Sequence, residues 1–99
     1  MAQLLTKSLK ARFKKVGKQE TPDPIIIAKF FNPCGAETWY ITEYNEEGNM
    51  CYGYITGSWD NEWGYFSISE LEALRCSTLG LPIERDLYFD EVPFSQLKR

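Results

Sequence analysis

A capping box at Ser67 and Glu70 marks the point where a short aromatic run passes directly into a helix. In this motif the serine hydroxyl accepts a hydrogen bond from the Glu70 backbone N–H, and the glutamate carboxylate reaches back to the Ser67 N–H. The sequence therefore predicts a helix that begins at Ile68. Ile68, Leu71 and Leu74 recur at helical spacing, so they predict an apolar stripe that packs on the sheet containing the aromatic run.

The composition indicates one small folded domain. A chain of 99 residues, of which 15% are aromatic, is long enough for a single core and too apolar for a disordered segment. Its apolar runs fall well short of the roughly 20 residues that a membrane-spanning helix needs. The first residues also lack the apolar stretch of a signal peptide. We therefore expect a cytoplasmic protein that makes no contact with a membrane.

The cysteine and histidine contents restrict the chemistry of the chain. It has three cysteines, Cys34, Cys51 and Cys76, and no histidine. An odd number of widely spaced cysteines predicts reduced thiols. Without histidine the chain lacks the commonest general base at neutral pH, the commonest metal ligand and the usual activator of a cysteine nucleophile. We therefore expect no enzymatic activity and no cofactor.

Carboxylates are the remaining candidates for a divalent metal site. The four side chains concerned are Glu43, Glu70, Glu84 and Asp86. Oxygen ligands suit magnesium or calcium, but the spacing of these residues enforces no cluster. Glu70 is already explained as a helix cap. The sequence therefore predicts no metal.

Charge is divided between a basic start and an acidic remainder. Residues 1–19 hold six basic side chains and no acidic one. Residues 20–99 hold five basic and fourteen acidic side chains, a net charge of −9. The basic segment can contact phosphate, or it can neutralise the acidic body of its own fold or of a partner.

A first helix is predicted over residues 7–16. Thr6 is placed to cap its start and Gly17 to end it. Phe13 and Val16 belong to a narrow apolar stripe. The lysines of this helix fit either a solvated face or a nucleic-acid contact; they are Lys7, Lys10, Lys14 and Lys15.

Runs of β-branched and aromatic residues predict four strands, over residues 25–31, 38–44, 50–55 and 62–66. Residues 83–89 fit either an edge strand or a short turn of helix. The expected fold class is α+β. It is an antiparallel meander of about four strands, with an N-terminal helix and a post-sheet helix packed on it.

The loop between the second and third strands decides which side chains share a face. Gly48 is predicted to adopt the left-handed conformation in a three-residue loop closed by a G1 bulge, which pairs Asn45 with Asn49. In this register four tyrosines lie on one face of the hairpin: Tyr40, Tyr44, Tyr52 and Tyr54.

This tyrosine face allows two interpretations. It can form a stacking platform for single-stranded nucleic acid, or it can pack within the fold or contact another protein. The neighbouring Glu43, Glu46 and Glu47 would repel phosphate. The charge pattern therefore favours packing or a protein interface.

Trp59 and Trp63 flank Asp60, Asn61 and Glu62 around the start of the fourth predicted strand. An exposed tryptophan here fits an interface anchor, and the alternative is a tryptophan that closes the end of the sheet.

Arg85 lies between Glu84 and Asp86 near the C-terminus. Its guanidinium has paired donors that can bind a phosphate or an acidic partner. Alternatively, it can bridge the C-terminal segment to an acid such as Glu43 or Glu70. The structural interpretation is favoured, because acidic residues are abundant in this chain.

Five blocks of sequence together resemble one protein family. They are LLTK at residues 4–7, KFFNP at 29–33, TWYITEY at 38–44, GYFSISEL at 64–71 and GLPIERDLYF at 80–89. The resemblance is to the domain-of-unknown-function family numbered twenty-nine fifty-eight, small bacterial proteins often carried by plasmids, phages and other mobile elements. The family has no established activity, so the resemblance assigns no functional residues. The lysine-rich segment between Lys14 and Pro24 departs from the family pattern.

These observations predict a non-catalytic protein-binding module of a mobile element. Its partner is expected to be a host or element-encoded protein complex, such as a defence nuclease or a CRISPR-type complex. The module is expected to inhibit this complex with its acidic surface. The expected interface consists of Tyr40, Glu43, Tyr44, Glu46, Glu47, Tyr52, Tyr54, Trp59, Asp60, Glu62, Glu84, Arg85 and Asp86. The alternative is a nucleic-acid-binding accessory protein that uses Lys7, Lys10, Lys14 and Lys15.

Overall fold

A five-stranded antiparallel sheet forms the centre of the molecule, in a computed structural model that describes residues 4–57, 61–76 and 79–97. The helices are α1 (Lys7–Val16) and α2 (Ile68–Ala73), and the strands are β1 (Ile25–Ile26), β2 (Ala28–Phe31), β3 (Thr38–Asn45), β4 (Met50–Thr56), β5 (Glu62–Ser67), β6 (Glu84–Arg85) and β7 (Val92–Pro93). The strand order is β5-β4-β3-β2-β6, while β1 pairs separately with β7, which runs into a 3₁₀ helix (Phe94–Gln96).

The α+β class and the meander of β2 to β5 are confirmed. The sheet has one strand more than expected, because β6 adds to the free side of β2. The sequence left this segment open between strand and helix. The expected strand over residues 25–31 is divided at Ile27, whose N–H bonds to the Ile41 carbonyl, so that β1 can pair with β7.

Both helices are capped by the predicted hydroxyls, but among the described residues the expected return bond from the Ser67 N–H to the Glu70 carboxylate is not observed. The Thr6 hydroxyl accepts a 3.2 Å hydrogen bond from the Leu9 N–H, and the Ser67 hydroxyl accepts one of 3.3 Å from the Glu70 N–H. Gly17 ends α1 with φ of 67°, a conformation that favours glycine. Over the ranges that the structure describes, neither helix has the length and hydropathy needed to span a membrane.

The main hydrophobic core lies between one face of the sheet and the two helices. Its buried members include Leu4, Leu5, Phe13, Phe30, Trp39, Ile41, Cys51, Ile68, Leu71 and Ile83. The predicted stripe of α2 therefore contributes its first two residues. Leu74 was expected to continue that stripe, but it follows the end of α2 and its side chain is 46% exposed.

The loop of the β3–β4 hairpin differs from the expected one. The left-handed residue is Asn49 (φ 51°) rather than Gly48, and Asn45 pairs with Met50 instead of Asn49. Asparagine tolerates this conformation when its side chain forms local hydrogen bonds. Here the side-chain oxygen of Asn49 accepts a 2.7 Å hydrogen bond from the Tyr44 hydroxyl.

A β-bulge at Thr42 exchanges the faces of the residues that follow it. The pairing with β4 shifts by one residue between Ile41 and Glu43, and an extra residue in one strand reverses the alternation of its side chains. Glu43 therefore shares a face with Tyr52, while Tyr44 lies on the core face. The prediction that Tyr44 shares a face with the other three tyrosines is wrong.

Two of the three cysteines are joined in a disulfide. Cys34 in the turn after β2 is bonded to Cys76 beyond the end of α2. The expectation of reduced thiols is therefore wrong for this pair. The two residues are 42 positions apart, and their spacing in sequence carries no sign of the contact. The third cysteine, Cys51, is a free thiol buried in β4.

Candidate binding cleft

An open cleft lies between α1 and the β3–β4 hairpin. Its volume is about 640 Å³, within the range of pockets that bind small molecules or side chains of a peptide. Two lysines of α1 and Lys18 line one wall. Acidic residues of the hairpin line the other wall, and aromatic side chains and Met50 lie between the two walls. The cleft therefore combines charges of both signs with an apolar surface.

The basic wall consists of Lys10, Lys14 and Lys18. Lys10 and Lys14 are four residues apart on α1 and so lie on the same face of the helix. Phe13, between them in sequence, is buried in the core with 2% of its surface exposed. This contact fixes the helix on the sheet and holds the two lysines beside the hairpin.

Other basic residues of α1 lie outside the cleft. Lys7 and Lys15 are exposed and do not line it. Arg12 donates two hydrogen bonds to Glu91, of 2.9 and 2.8 Å, and these tie α1 to the segment before β7. Hydrogen bonding to Arg12 lowers the pKa of Glu91 below its usual value.

The acidic wall consists of Glu43, Glu46 and Glu47. Glu46 and Glu47 are exposed in the hairpin loop, whereas Glu43 is half-buried and accepts a 3.0 Å hydrogen bond from the Gln19 backbone N–H. In the described part of the chain, no lysine nitrogen of the basic wall lies within 4.0 Å of these carboxylates. The charges of the two walls are therefore not neutralised by direct ion pairs with each other.

Aromatic rings form the surface between the walls. The Phe13 and Tyr44 rings are 6.2 Å apart, and those of Tyr52 and Tyr65 are 4.7 Å apart. Tyr65 is 71% exposed. Burial, with smaller contributions from neighbouring acidic groups, raises the pKa of Tyr44, so its hydroxyl keeps its proton and donates to Asn49.

Gln19 positions the cleft, and sequence reasoning missed it. Its side-chain nitrogen donates to the carbonyls of Thr42 and Ile25, each at 2.9 Å, and its side-chain oxygen accepts from the Ile25 N–H at 2.7 Å. With the bond from its N–H to Glu43, Gln19 joins the connection after α1 to the bulge in β3. A glutamine in a polar linker carries no sequence signal for this role.

The expected tyrosine surface is divided by the fold. Tyr40 is buried, with the Lys29 ammonium 5.9 Å from its ring centroid. The Tyr54 ring contacts Trp63 and, at 5.0 Å, Phe94 of the C-terminal 3₁₀ helix. Of the four tyrosines in the prediction, Tyr44 and Tyr52 line the cleft.

The charged residues 84–86 lie at the edge of the sheet opposite β5, where β6 pairs with β2. Asp86 accepts a 2.9 Å hydrogen bond from the Tyr88 N–H, and one of its oxygens lies 3.5 Å from the Lys29 ammonium. Arg85 forms no ion pair with a described acidic residue, and its buried Nε has no hydrogen-bond partner there. The proposed bridge from Arg85 to Glu43 or Glu70 is therefore not observed.

Three expected interface residues, Trp59, Asp60 and Glu62, come from one stretch of the sequence. Glu62 is exposed at the start of β5 and does not line the cleft. Trp59 and Asp60 lie outside the described residues.

Two features of the described residues bear on metal binding and on nucleophilic chemistry. No group of three or more cysteine, aspartate or glutamate side chains among them is arranged to hold a metal ion. Burial raises the pKa of the Cys51 thiol to about 12. Because the thiolate is the reactive form of cysteine, this thiol is a poor nucleophile at neutral pH.

Together, the fold and the cleft define a small α+β domain that presents an open surface cleft with two oppositely charged walls. The chain belongs to the family described as protein of unknown function (DUF2958), which matches residues 1–97. This match confirms the family that the five sequence blocks resemble. No curated protein and no solved structure shows significant similarity to the chain.

Proposed function

We propose that the protein is a non-catalytic binding module that takes a segment of another protein into the cleft between α1 and the β3–β4 hairpin. The observation that carries this proposal is the pair of walls, basic and acidic, whose charges do not neutralise one another by direct ion pairs. A protein segment can supply an acidic group to Lys14, a basic group to Glu46 and an apolar side chain to the rings between them. Such complementary charges give specificity to an interface.

The apolar surface of the cleft suits a protein ligand. Tyrosine and methionine are enriched in protein interfaces, and Met50, Tyr52 and Tyr65 line the cleft. A large apolar side chain that enters a pocket and is surrounded by polar contacts typically dominates the binding energy of an interface. Phe13 and Tyr44 are fixed by the core and the hairpin, so this surface is already formed before binding.

Nucleic acid fits the same surface less well. Lys10 and Lys14 were two of the four lysines considered for phosphate contacts, and both face a wall of three carboxylates. A polyanion in the cleft would approach those carboxylates and be repelled. The charge pattern therefore favours a protein partner over the nucleic-acid alternative.

The partner class follows from the setting expected for the family and from the charge. A protein of a plasmid or phage benefits when it blocks a host defence complex, and residues 20–99 carry a net charge of −9. A surface of this kind can occupy a basic nucleic-acid channel. Host nucleases and CRISPR-type complexes are therefore the partners that we propose to test first.

A capture experiment with charge-reversal variants tests the proposal. The tagged full chain is incubated with nuclease-treated lysate of a bacterial host, and retained proteins are identified by mass spectrometry. Lys14→Glu and Glu46→Lys reverse a charge on each wall. The matched controls are Lys15→Glu, exposed on the same helix outside the cleft, and Glu84→Lys, exposed on β6.

The expected result is a protein retained by the wild type and by both controls but lost with both cleft variants. Retention by all four variants would place the interface elsewhere. Salt-sensitive recovery of nucleic acid alone, from lysate without nuclease, would favour the alternative function.

A further inference from the structure

The two edges of the five-stranded sheet differ in how they are protected. Natural sheets protect an exposed edge by short strands, charged residues, proline or bulges. Strand β6 has two residues, Glu84–Arg85, both charged. Strand β5 has six residues, one of them charged, with no lysine or proline, and its register with β4 contains no bulge. The β5 edge therefore has the features of a strand that pairs with another chain.

The backbone N–H and C=O groups of successive β5 residues point alternately toward β4 and toward the open edge of the sheet. The Ile68 N–H, directly after β5, donates to the Asn49 carbonyl at 3.1 Å, and the pairing with β4 is regular along the whole strand. Alternation along an antiparallel ladder then directs the N–H and C=O of Gly64 toward β4 and those of Trp63 and Tyr65 outward. Within the described ranges, β4 is the one strand that pairs with β5.

We propose that β5 pairs with β5 of a second copy of this chain, antiparallel about a two-fold axis at Gly64. In this register Trp63 of each copy lies opposite Tyr65 of the other, and these residues exchange the backbone hydrogen bonds that point outward. The two Gly64 residues form the non-hydrogen-bonded pair, whose Cα atoms approach to about 4.5 Å. The strand is thus self-complementary in its backbone groups.

The side chains of β5 are compatible with self-pairing. Glu62, its one charge, falls opposite Phe66 of the second copy, so no like charges face each other across the pair. Gly64 has negative φ, and a Cβ built there has no atom within 4 Å. The fold of a single chain therefore does not require glycine at this position, whereas glycine in a strand often marks close approach of another backbone.

Pairing also covers the most exposed ring of the sheet face. Tyr65 is 71% exposed, and its ring contacts the ring of Tyr52. The Tyr52 ring in turn stacks on that of Trp63, with the ring centroids 5.7 Å apart. In the pair, Trp63 of the second copy lies beside Tyr65 and continues this ring cluster across the seam. Cross-strand aromatic pairs stabilise sheets. Because Tyr65 also lines the cleft, each copy places a tryptophan at the rim of the other copy's cleft.

Sedimentation of the full chain over a range of micromolar concentrations tests the pairing. We expect the wild type to pass from monomer to dimer, and Tyr65→Lys to remain monomeric with an unchanged circular dichroism spectrum, because an edge lysine opposes strand pairing. Tyr88→Lys is the matched control, since Tyr88 is 93% exposed outside β5, and it should dimerise as the wild type does. A monomeric wild type, or a dimer unaffected by Tyr65→Lys, overturns the proposal.

Amide hydrogen exchange distinguishes the register. The Gly64 amide should be protected at every concentration because it bonds to β4, while the Trp63 and Tyr65 amides should become protected only as the dimer forms. A dimer in which these two amides still exchange rapidly would use another surface. Protection that appears only when a captured host protein is added would assign the edge to that protein and overturn the pairing of two copies.

Discussion

The Tyr44 hydroxyl donates a 2.7 Å hydrogen bond to the side-chain oxygen of Asn49, and this contact joins the wall of the cleft to the turn of the hairpin. The Asn49 side-chain nitrogen donates to the Ser69 hydroxyl at 2.8 Å, and its carbonyl accepts from the Ile68 N–H. One asparagine thus fixes the loop, the start of α2 and the position of the Tyr44 ring against Phe13.

Asn49→Ala should destabilise the protein by about 3 kcal/mol, since alanine in the left-handed region costs about 1 kcal/mol and the two lost side-chain hydrogen bonds cost about 1 kcal/mol each. Tyr44→Phe removes only the hydroxyl and should cost about 1 kcal/mol. Asn49→Gly keeps the backbone conformation and should lie between them. Urea denaturation measures all three, and a neutral Asn49→Ala would mean that the loop adopts another turn.

Gly53 and Gly64 lie directly opposite each other on β4 and β5, yet they should respond differently to the same substitution. A Cβ at Gly53 would collide with the Tyr40 carbonyl, whereas a Cβ at Gly64 has open space. Gly53→Ala should therefore cost about 2 kcal/mol or more, and Gly64→Ala should be neutral or slightly stabilising. Equal losses for the two variants in denaturation would show that the bulge in β3 does not bring the strands this close.

The disulfide between Cys34 and Cys76 should contribute strongly to stability. Closing a loop of 42 positions stabilises a fold by about 4 kcal/mol in the chain-entropy model. Denaturation with and without reductant should show a loss approaching this value. Alkylation of the unfolded, unreduced protein should label Cys51 alone, and labelling of all three cysteines would show that the bond is absent.

Cys51 should make the protein less stable at alkaline pH. Its folded pKa is raised to about 12 by burial, above the value of about 8.5 in an unfolded chain. The unfolded state therefore loses this proton at a lower pH than the folded state does. The stability that Cys51 contributes through this difference is fully present below pH ~8.5 and is lost as the pH rises toward the folded pKa. Between pH 8 and pH 10 the wild type should lose between about 1 and 2 kcal/mol more than Cys51→Ala. If the free energies of unfolding of the two proteins changed in parallel with pH, this would contradict burial of the thiol.

Features set by neighbours in sequence were predictable. The caps at Thr6 and Ser67 depend on residues within three positions, and both helices begin where the motifs indicate. The meander follows from strand propensity and short connections. These elements depend on local hydrogen bonds, so the residues alone define them.

Features set by contacts between distant residues were not predictable in the same way. The register depends on the bulge at Thr42, for which Gly53 was the available signal, because glycine inside a strand often lies opposite a bulge. The cleft depends on the docking of α1 through Phe13 and on the hydrogen bonds of Gln19. Neither the disulfide nor β6 has a local motif, because each is formed by segments that meet only in the folded chain.

The most direct test of the binding cleft is the affinity of a captured partner for Lys14→Glu compared with Lys15→Glu, two reversals of charge at neighbouring positions of α1. Lys14 lines the cleft and Lys15 does not. We predict that Lys14→Glu weakens binding by about tenfold or more, corresponding to about 1.4 kcal/mol, while Lys15→Glu leaves it unchanged. Equal affinities for the two variants would contradict the proposal that the partner occupies this cleft.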